Sequence, residues 1–528
     1  MYASSFSLST PLEQARALTD DCRSASVHPT EDHHVSSIVY GSAAARQGIK
    51  RFEMPDGEME SRLAQRFVQD ELLLDASPAL NLASFVTTYM EPEVEQLMLQ
   101  NLSKNFIDAE EYPSCAEVEM RCVNMIARLF NAPLDDPTSE ALGVSTVGSS
   151  EAIILAVLAA KARWKEMRLA AGKDASKPNI VMNAAVQVCW EKAARYLEVE
   201  EKYWYCRPGQ YVLDPQEAVD LVDENTILVV GILGTTYTGQ YEPIEKLNEL
   251  LEEKCQKTAD LDVYIHVDAA SGGFVAPFVN PSLKWDFQLS RVASINASGH
   301  KYGLCYAGVG WAVWRGKQFL PDSVCFTVNY LGSPQVSFTL NFSKPAINVI
   351  AQYYQFLRLG KAGYRAIMET LTSTADFLAE EVMKLNGGDF FELLSDGQGQ
   401  GLPLVAWRIV KADCPYDEFA IASHLRQRGW VVPAYTMAPH TEEMKLLRVV
   451  VREDFSRSRA ITFLRDLKDT LHYLDHAPAE IQKHLSKSEG SGTPAVAASR
   501  VKHSKKHHVH LHEKHSLQGK YGKTHAIC

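Results

Sequence analysis

Two residues with complementary chemistry stand at the ends of short apolar runs. Asp268 ends the run YIHVD, and Lys301 ends the run that begins VASINAS. Each residue would therefore lie where a strand of an α/β sheet opens into a loop, which is where such folds bind ligands. We expect one acid and one amine to face a shared crevice.

A carboxylate and a lysine amine in one crevice suit pyridoxal 5′-phosphate, which needs an amine for its imine and a carboxylate beside its ring nitrogen. An ionised Asp268 would keep the ring nitrogen protonated, and the protonated ring is the stronger electron sink. Lys301 would form the imine, with His300 beside it in a catalytic role. Taken singly, each residue is better explained by a turn or a solvated loop. Their joint occurrence, followed by the small-residue run 307–310, favours the cofactor.

A phosphate-binding segment is predicted at Gly148-Ser149-Ser150, which opens a strongly helical run. Backbone N–H groups at a helix N-terminus, together with two hydroxyls, bind anions. An ordinary serine cap with Glu151 in the first turn is an alternative of equal weight. The later run ILVVGILG is typical of a strand buried on both faces, and its end at 234–236 would enter the same crevice.

The chain changes character after Ser343. This serine is predicted to cap a helix with Pro345 in its first turn, ahead of a long helical pattern from Ile347 to about Leu385. Two strand-like stretches, LPLVAWRIV and LLRVVVRED, and an amphipathic run after Ser456 follow. This mixture predicts a smaller C-terminal α+β domain.

Length and composition set the class of protein. The chain has 528 residues, of which 46% are hydrophobic and 22% charged, and this predicts a soluble globular protein of two domains with appendages. The formal net charge of -12 argues against general nucleic-acid binding, and no stretch approaches the roughly 20 apolar residues of a membrane span.

The ten cysteines include no Cys-x-x-Cys pair, which favours reduced thiols over a disulfide framework or a metal site. The N-terminus lacks the apolar core of a secretory signal and contains Asp20 and Asp21, so we expect a cytoplasmic protein.

The ends of the chain differ from its body. Residues 1 to about 50 predict a flexible arm, and MESRLAQRFVQDELLLD predicts an amphipathic helix that could pack on a neighbouring subunit. From about residue 486, Ser, Gly and Ala give way to His and Lys, which predicts a disordered tail whose histidines could bind metal. The predicted divisions are an arm and helix at 1–79, a large domain at 80–365, a small domain at 366–482 and a tail at 483–528.

Four motifs carry a family resemblance: VDAASGGF, SGHKYGL, NYLG and NFSKP. With these motifs the chain, from about Leu72 to about Asp475, resembles the pyridoxal-phosphate-dependent glutamate decarboxylases of the plant type, within the group II decarboxylase family. The resemblance implies an α/β fold of fold-type I, with an aspartate aminotransferase-like large domain built on a mixed seven-stranded sheet. It also implies a carboxy-lyase that converts L-glutamate to 4-aminobutanoate and carbon dioxide through a Schiff base with pyridoxal 5′-phosphate.

The resemblance also implies roles for individual residues. Gln187 would stack over the pyridine face, Thr236 would lie near the phenolic oxygen, and Ala270 would support the ring from the opposite face. The full set implied to bind the cofactor is Ser149, Ser150, Gln187, Thr236, Asp268, Ala270, Ser298, His300, Lys301 and, from the adjacent subunit, Ser343.

Substrate binding is implied for a second group of residues. Ser84 and Phe85 would face the distal carboxylate of glutamate, with Asn105 and Asp108 entering from the partner subunit. Arg448 would reach the α-carboxylate. Arg452 stays open as an alternative, because even spacing in a strand places two residues on one face.

Partners and rival functions remain open at this point. The shared sites imply at least a homodimer, and the family includes homohexamers. Plant members carry a basic, Trp-containing calmodulin-binding segment near the C-terminus, whereas here no Trp follows Trp430, so calmodulin is an open but disfavoured partner. An aromatic amino-acid decarboxylase or an aminotransferase could share this fold. Gln187 and the loops SFVTT and NFIDAEEY favour the glutamate group, and a rival from another class is an inactive calmodulin- or metal-binding regulatory protein.

Overall fold

The computed structural model describes residues 49–328 and 335–478. The predicted tail, with its metal and calmodulin alternatives, and nearly all of the predicted flexible arm lie outside the described residues. Contacts divide the chain into residues 1–76 and 77–528. In the first unit, helix α1 spans Ser61–Leu72, within the stretch predicted to be helical. Glu60 caps this helix by accepting a hydrogen bond from the backbone N–H of Leu63 at 3.0 Å.

The second unit carries the remaining helices and strands. Its helices are α2 Pro92–Gln100, α3 Pro113–Leu129, α4 Ser149–Ala170, α5 Val188–Tyr196, α6 Pro215–Asp220, α7 Ile244–Lys257, α8 Ala276–Val279, α9 Ile347–Met383, α10 Glu418–Arg426 and α11 Arg457–His476. The strands that precede α9 are β1 Leu142–Thr146, β2 Asn179–Asn183, β3 Glu200–Trp204, β4 Thr226–Ile232, β5 Ile265–Asp268, β6 Val292–Ser298, β7 Gly310–Trp314, β8 Phe326–Val328 and β9 Gln335–Ser337. The strands that follow α9 are β10 Phe391–Leu393, β11 Leu404–Ile409, β12 Ala434–Thr436 and β13 Lys445–Val450.

A seven-stranded sheet in the order β1-β7-β6-β5-β4-β2-β3 forms the centre of this unit. The strands from β2 to β6 pair in parallel, whereas β7 runs antiparallel to both of its neighbours, β1 and β6. The predicted mixed sheet is therefore confirmed. Since β7 alone is reversed, the carboxyl ends of the other six strands meet at one edge of the sheet.

The apolar runs of the sequence become the buried centre of the sheet. Every residue of β4, β5 and β6 is buried, as expected for parallel strands covered on both faces. The prediction for the run ILVVGILG is confirmed. Strand β6 differs from β4 because it buries polar residues among the apolar ones, namely Ser294, Asn296 and Ser298.

A four-stranded antiparallel sheet in the order β10-β11-β13-β12 lies in the C-terminal part of the unit. The two predicted strand-like stretches form β11 and β13, and the amphipathic run after Ser456 forms α11. Helix α9 precedes this sheet. Its regular geometry is interrupted at Gly360, where φ is 55° and ψ is -174°.

The predicted helix cap at Ser343 is wrong. Helix α9 begins at Ile347, and no side chain caps it. The segment before the helix is held elsewhere, because the backbone N–H of Lys344 donates to Asn105 Oδ1 at 2.8 Å and Pro345 forms a bridge with Asn105. Ser343 therefore lies in a bend four residues before the helix rather than at its cap.

No helix in residues 49–328 and 335–478 is long and apolar enough to cross a bilayer.

Candidate active site

A cavity of about 270 Å³ lies at the edge of the sheet where the carboxyl ends of the parallel strands meet. Loops that follow β1, β2, β4, β5 and β6 contribute its walls. Nine of the residues predicted to bind the cofactor line it: Ser149, Ser150, Gln187, Thr236, Asp268, Ala270, Ser298, His300 and Lys301. The crevice expected from the strand ends is thus present.

Asp268 is the last residue of β5 and is held by three N–H donors. Its Oδ2 accepts from the indole of Trp190 at 2.8 Å, and its Oδ1 accepts from Asn296 Nδ2 at 3.0 Å and from the backbone of Ala270 at 3.1 Å. Hydrogen bonds from N–H groups favour the ionised form of a carboxylate. The arrangement suits a fixed negative charge at the base of the cavity.

Lys301 brings a primary amine to the same cavity. Its side chain is 8% exposed, and its Nζ lies 3.2 Å from the hydroxyl of Ser271 and 5.4 Å from the centre of the Phe85 ring. Lys301 follows β6 by three residues, so the adjacent strands β5 and β6 place the carboxylate and the amine at one edge of the sheet. This pairing is the one expected from the sequence.

The N-terminus of α4 opens into the cavity. Ser149 begins this 22-residue helix, and its hydroxyl lies 2.6 Å from that of Ser298 at the end of β6. A Cβ on Gly148 would approach His300 Cε1 to 2.9 Å, so only glycine allows the loop this close to the imidazole. The predicted hydroxyls of Ser149 and Ser150 thus line the cavity at the N-terminus of α4, and phosphate binding there stays a prediction.

His300 supplies a neutral imidazole to the cavity. Burial, reinforced by the charge of Lys301, lowers its pKa to about 4. Its Nδ1 is buried and has no hydrogen-bond partner among the described residues. The cavity therefore fits pyridoxal 5′-phosphate through four features. These are a buried nitrogen without a partner among the described residues, a helix N-terminus suited to an anion, a carboxylate held by N–H donors and a lysine amine.

The lowered pKa of His300 predicts an acid-dependent loss of stability in the cofactor-free protein. The unfolded chain binds a proton near pH 6.5 and the folded chain only near pH 4, so stability decreases as the pH falls through this window. Between pH 7 and 4 this proton uptake lowers the free energy of unfolding by about 3 kcal/mol, and replacing His300 by Phe is expected to remove that change. Urea unfolding between pH 4 and 7 measures it, with exposed His472→Phe as control. Equal pH slopes in wild type and His300→Phe would contradict the prediction.

Gln187 lines the cavity and also caps a helix. Its side-chain oxygen accepts a hydrogen bond from the backbone N–H of Cys189 at 2.7 Å, and α5 begins at Val188. The cap fixes where the amide lies. The family resemblance predicts that Gln187 stacks on the pyridine ring. This role is compatible with the cap, because the cap uses only the side-chain oxygen and stacking uses the plane of the amide.

The loop that contains Ser84 and Phe85 is tied to the backbone around Lys301. The Thr87 hydroxyl donates to the carbonyl oxygen of Lys301 at 2.7 Å, and the Thr87 backbone N–H donates to that of His300 at 2.9 Å. Ser84 uses its hydroxyl to accept from the backbone N–H of Val86 at 3.1 Å. The loop therefore moves with the lysine segment.

Arg448 and Arg452 are both buried, but they contact different parts of the molecule. Arg448 donates to the carbonyl oxygens of Ala83 and Thr236, and its guanidinium lies 4.8 Å from the Phe85 ring centre. Thr236 lines the cavity, and Arg448 Nε is buried without a hydrogen-bond partner among the described residues.

Arg452 donates instead to the carbonyl oxygens of Ser84 and Pro78. None of its hydrogen bonds reaches a residue that lines the cavity. The structure therefore brings Arg448, rather than Arg452, next to the cavity.

Six of the predicted site residues do not line the cavity that contains Lys301. Three of them, Ser84, Phe85 and Arg448, are described above. Of the other three, Asn105 Nδ2 lies 3.5 Å from the hydroxyl of Ser343, and Asp108 accepts from the backbone of Glu110 and Glu111 at 3.0 and 3.1 Å. Their predicted entry from a partner subunit is compatible with this separation.

Sequence reasoning missed three residues that hold the site together: Trp190, Asn296 and Thr87. Asn296 carried a signal, since a polar residue inside an otherwise buried strand needs a hydrogen-bond partner. Trp190 carried a weaker one, as a buried indole usually finds an acceptor. Thr87 lies 214 residues from Lys301 in the chain, so nothing local indicated its contact.

Comparison with known proteins gives concordant matches. The family model described as the pyridoxal-dependent decarboxylase conserved domain matches residues 58–410. Glutamate decarboxylase of Petunia hybrida is 52% identical over 85% of this chain and 88% of its own length. Glutamate decarboxylase 1 of Arabidopsis thaliana is 51% identical over 87% and 90%. Among solved structures, Lactobacillus brevis CGMCC 1306 glutamate decarboxylase is 43% identical, with a TM-score of 0.79 over 83% of this chain and 98% of its own.

Proposed function

The chain belongs to the pyridoxal-dependent decarboxylase family, and from that premise we propose that it is a plant-type glutamate decarboxylase. It converts L-glutamate to 4-aminobutanoate and carbon dioxide with pyridoxal 5′-phosphate. The observation that carries the proposal is the cavity that joins Asp268, Lys301 and the N-terminus of α4. The test is to supply glutamate and the cofactor and to measure 4-aminobutanoate. An aromatic amine from tryptophan, or a 2-oxo acid from glutamate, would instead indicate the rival decarboxylase or aminotransferase.

When bound, pyridoxal 5′-phosphate supplies an electron sink for the pair of electrons released as the bond between Cα and the carboxylate breaks. Asp268 keeps the ring nitrogen protonated by accepting its hydrogen bond. Ser149 and Ser150 bind the phosphate with the backbone N–H groups of α4. These contacts fix the position of the ring before the substrate enters.

Lys301 acts at two points of the cycle. Its Nζ would hold the cofactor covalently between turnovers. Once free, the same amine would donate a proton to Cα of the product after carbon dioxide has left. One proton is consumed overall.

Orientation of the substrate decides which bond breaks. Arg448 binds the α-carboxylate, and the loop of Ser84 and Phe85 binds the distal carboxylate. These contacts would orient the departing carboxylate relative to the cofactor that accepts the electrons. The Phe85 ring contacts both basic groups, with its centre 5.4 Å from Lys301 Nζ and 4.8 Å from the Arg448 guanidinium.

Replacing Arg448 with lysine is expected to raise the KM for glutamate about tenfold to a hundredfold, because a lysine cannot bind the carboxylate through two N–H groups. Arg452→Lys is the matched control, since both arginines are buried and both donate to backbone carbonyl oxygens. Steady-state kinetics and thermal unfolding of both variants measure the effect. Comparable losses of stability with equal KM values would assign both residues a structural role.

We also propose that the protein is at least a homodimer, with a homohexamer as the family-based extension. Exposed apolar side chains close in sequence to Asn105 and Ser343 support association. They are Leu99, Leu102, Leu340 and Phe342, which are 68%, 60%, 52% and 40% exposed. Asn105 and Ser343 are the residues proposed to complete the site of a partner subunit.

Mixing two inactive variants is expected to restore activity. In a dimer of one Lys301→Ala chain and one Ser343→Asp chain, one site contains both defects and the other contains neither. Random 1:1 association after co-expression should therefore give about a quarter of wild-type activity. Each variant expressed alone is the control. Continued inactivity of a mixture that light scattering identifies as dimeric would place Ser343 in the site of its own chain.

The domain limits are a further part of the proposal. We place the boundary between the large and small domains near residues 365 and 366. The break in α9 at Gly360 supports this position, because the chain changes direction within five residues of it.

A further inference from the structure

A row of fully buried polar side chains leads to Asp268. Strands β5 and β6 are parallel neighbours, with His266 opposite Ser294 and Asp268 opposite Asn296. Alternate residues of a strand point to the same face, so all four side chains share one face of the sheet. His266 and Asn296 are 0% exposed.

The row is continuously hydrogen-bonded. The Ser294 hydroxyl lies 2.7 Å from His266 Nδ1, and His266 Nε2 lies 2.7 Å from Asn296 Oδ1. Asn296 Nδ2 then donates to Asp268 at 3.0 Å. The indole of Trp190 packs against the imidazole edge, with ring centres 5.3 Å apart, and donates to the other oxygen of Asp268.

The direction of each bond follows from the carboxylate. Because an ionised Asp268 only accepts, Asn296 must present its NH₂ group to it and its carbonyl oxygen to His266. His266 Nε2 must then carry the hydrogen, and Nδ1 must accept from Ser294. Burial lowers the pKa of His266, so the imidazole is neutral and a single tautomer satisfies both neighbours.

We propose that Asn296 and His266 are positioning residues that keep Asp268 an acceptor for the proton on the cofactor ring nitrogen. The inference rests on the proposed function and gives a positioning role to two residues that do not contact the reacting atoms. The neutral His266 locks the Asn296 amide, and the amide supplies one of the three N–H donors to Asp268. With the amide reversed, its carbonyl oxygen would face the carboxylate and repel it.

The number of donors decides where the shared proton rests. Each of the three N–H donors stabilises the negative charge that faces the ring nitrogen. Losing the Asn296 donor weakens this stabilisation, so the ring nitrogen holds its proton less firmly. The ring nitrogen then carries less positive charge, and it accepts electrons from the breaking bond less readily.

The test uses Asn296→Leu, which keeps the size of the side chain and removes the donor, in protein loaded with cofactor labelled with ¹⁵N at the ring nitrogen. We expect the ¹⁵N resonance to move from the pyridinium toward the neutral pyridine position. We also expect kcat to fall about tenfold to a hundredfold, with the KM for glutamate changed less than about twofold. A loss of packing alone would lower stability without moving the resonance.

Two milder variants keep the test decisive should Asn296→Leu fail to fold. His266→Phe retains a flat ring against Trp190 and removes the group that locks the amide. Ser294→Ala removes one hydroxyl and frees the imidazole to adopt its other tautomer. Both should move the resonance in the same direction, with Ser294→Ala giving the smaller change.

His424→Phe is the matched control, because this histidine is also buried and bonded to a hydroxyl, that of Thr470 at 3.1 Å. It should leave the resonance at the wild-type position. A wild-type resonance in folded Asn296→Leu, or in Ser294→Ala and His266→Phe together, overturns the inference. Failure of wild-type protein to form 4-aminobutanoate would instead overturn the proposed function.

Discussion

Replacing Lys301 with alanine is expected to lower kcat for 4-aminobutanoate formation about a hundredfold to ten-thousandfold, the range spanned by loss of a group that transfers a proton. The variant loses both the covalent anchor of the cofactor and the amine that protonates Cα. Ser271 and Phe85 lie beside the lost amine, and neither can replace it, because a neutral hydroxyl and a phenyl ring are not nucleophiles at neutral pH.

Two measurements separate this prediction from a general loss of structure. Borohydride reduction of the loaded wild-type protein should fix the cofactor to the peptide that contains residue 301, and mass spectrometry should find no such adduct in Lys301→Ala. Lys246→Ala is the control, since this exposed lysine pairs only with surface Glu249. A cofactor fixed to another lysine, or turnover by Lys301→Ala within tenfold of wild type, would contradict the assignment.

The buried strand β4 and the placement of Asp268 and Lys301 at one cavity were predictable because both depend on local patterns. The apolar run of β4 indicates a strand that is buried on both faces. Asp268 marks the end of the neighbouring strand β5, because a carboxylate rarely continues an apolar core. The resemblance to a known family supplied what pattern could not, such as the place of Gln187 in the cavity.

Contacts between distant parts of the chain were not predictable in the same way. Thr87 reaches the carbonyl of Lys301, and Glu453 reaches the backbone of Thr88, across 214 and 365 residues. The predicted cap at Ser343 failed for the same reason, because the backbone N–H of Lys344 donates to Asn105 and that of Ala346 donates to the carbonyl oxygen of Lys104. The N–H group of Ala346, which a cap by Ser343 would use, is thus bonded to a distant part of the chain.

Electrostatics at Asp268 leads to the second large expected effect. Asp268→Asn should lower kcat about a hundredfold to a thousandfold at saturating cofactor, since it removes the negative charge that holds the proton on the ring nitrogen. An asparagine also cannot accept from all three donors. If its oxygen keeps the bonds from Asn296 and Ala270, its NH₂ group faces the indole N–H of Trp190, and two buried donors oppose each other.

Asp286→Asn is the matched control for this prediction. Asp286 is 3% exposed and accepts from Asn131 Nδ2 at 2.7 Å and from the backbone of Gln288 at 2.9 Å, but it does not line the cavity. Both variants should lose stability, because each leaves a buried donor without an acceptor. Only Asp268→Asn should also lose kcat and cofactor affinity, measured by 4-aminobutanoate formation and equilibrium dialysis. A kcat for Asp268→Asn within about threefold of the Asp286→Asn value would mean that the ring nitrogen does not depend on this carboxylate.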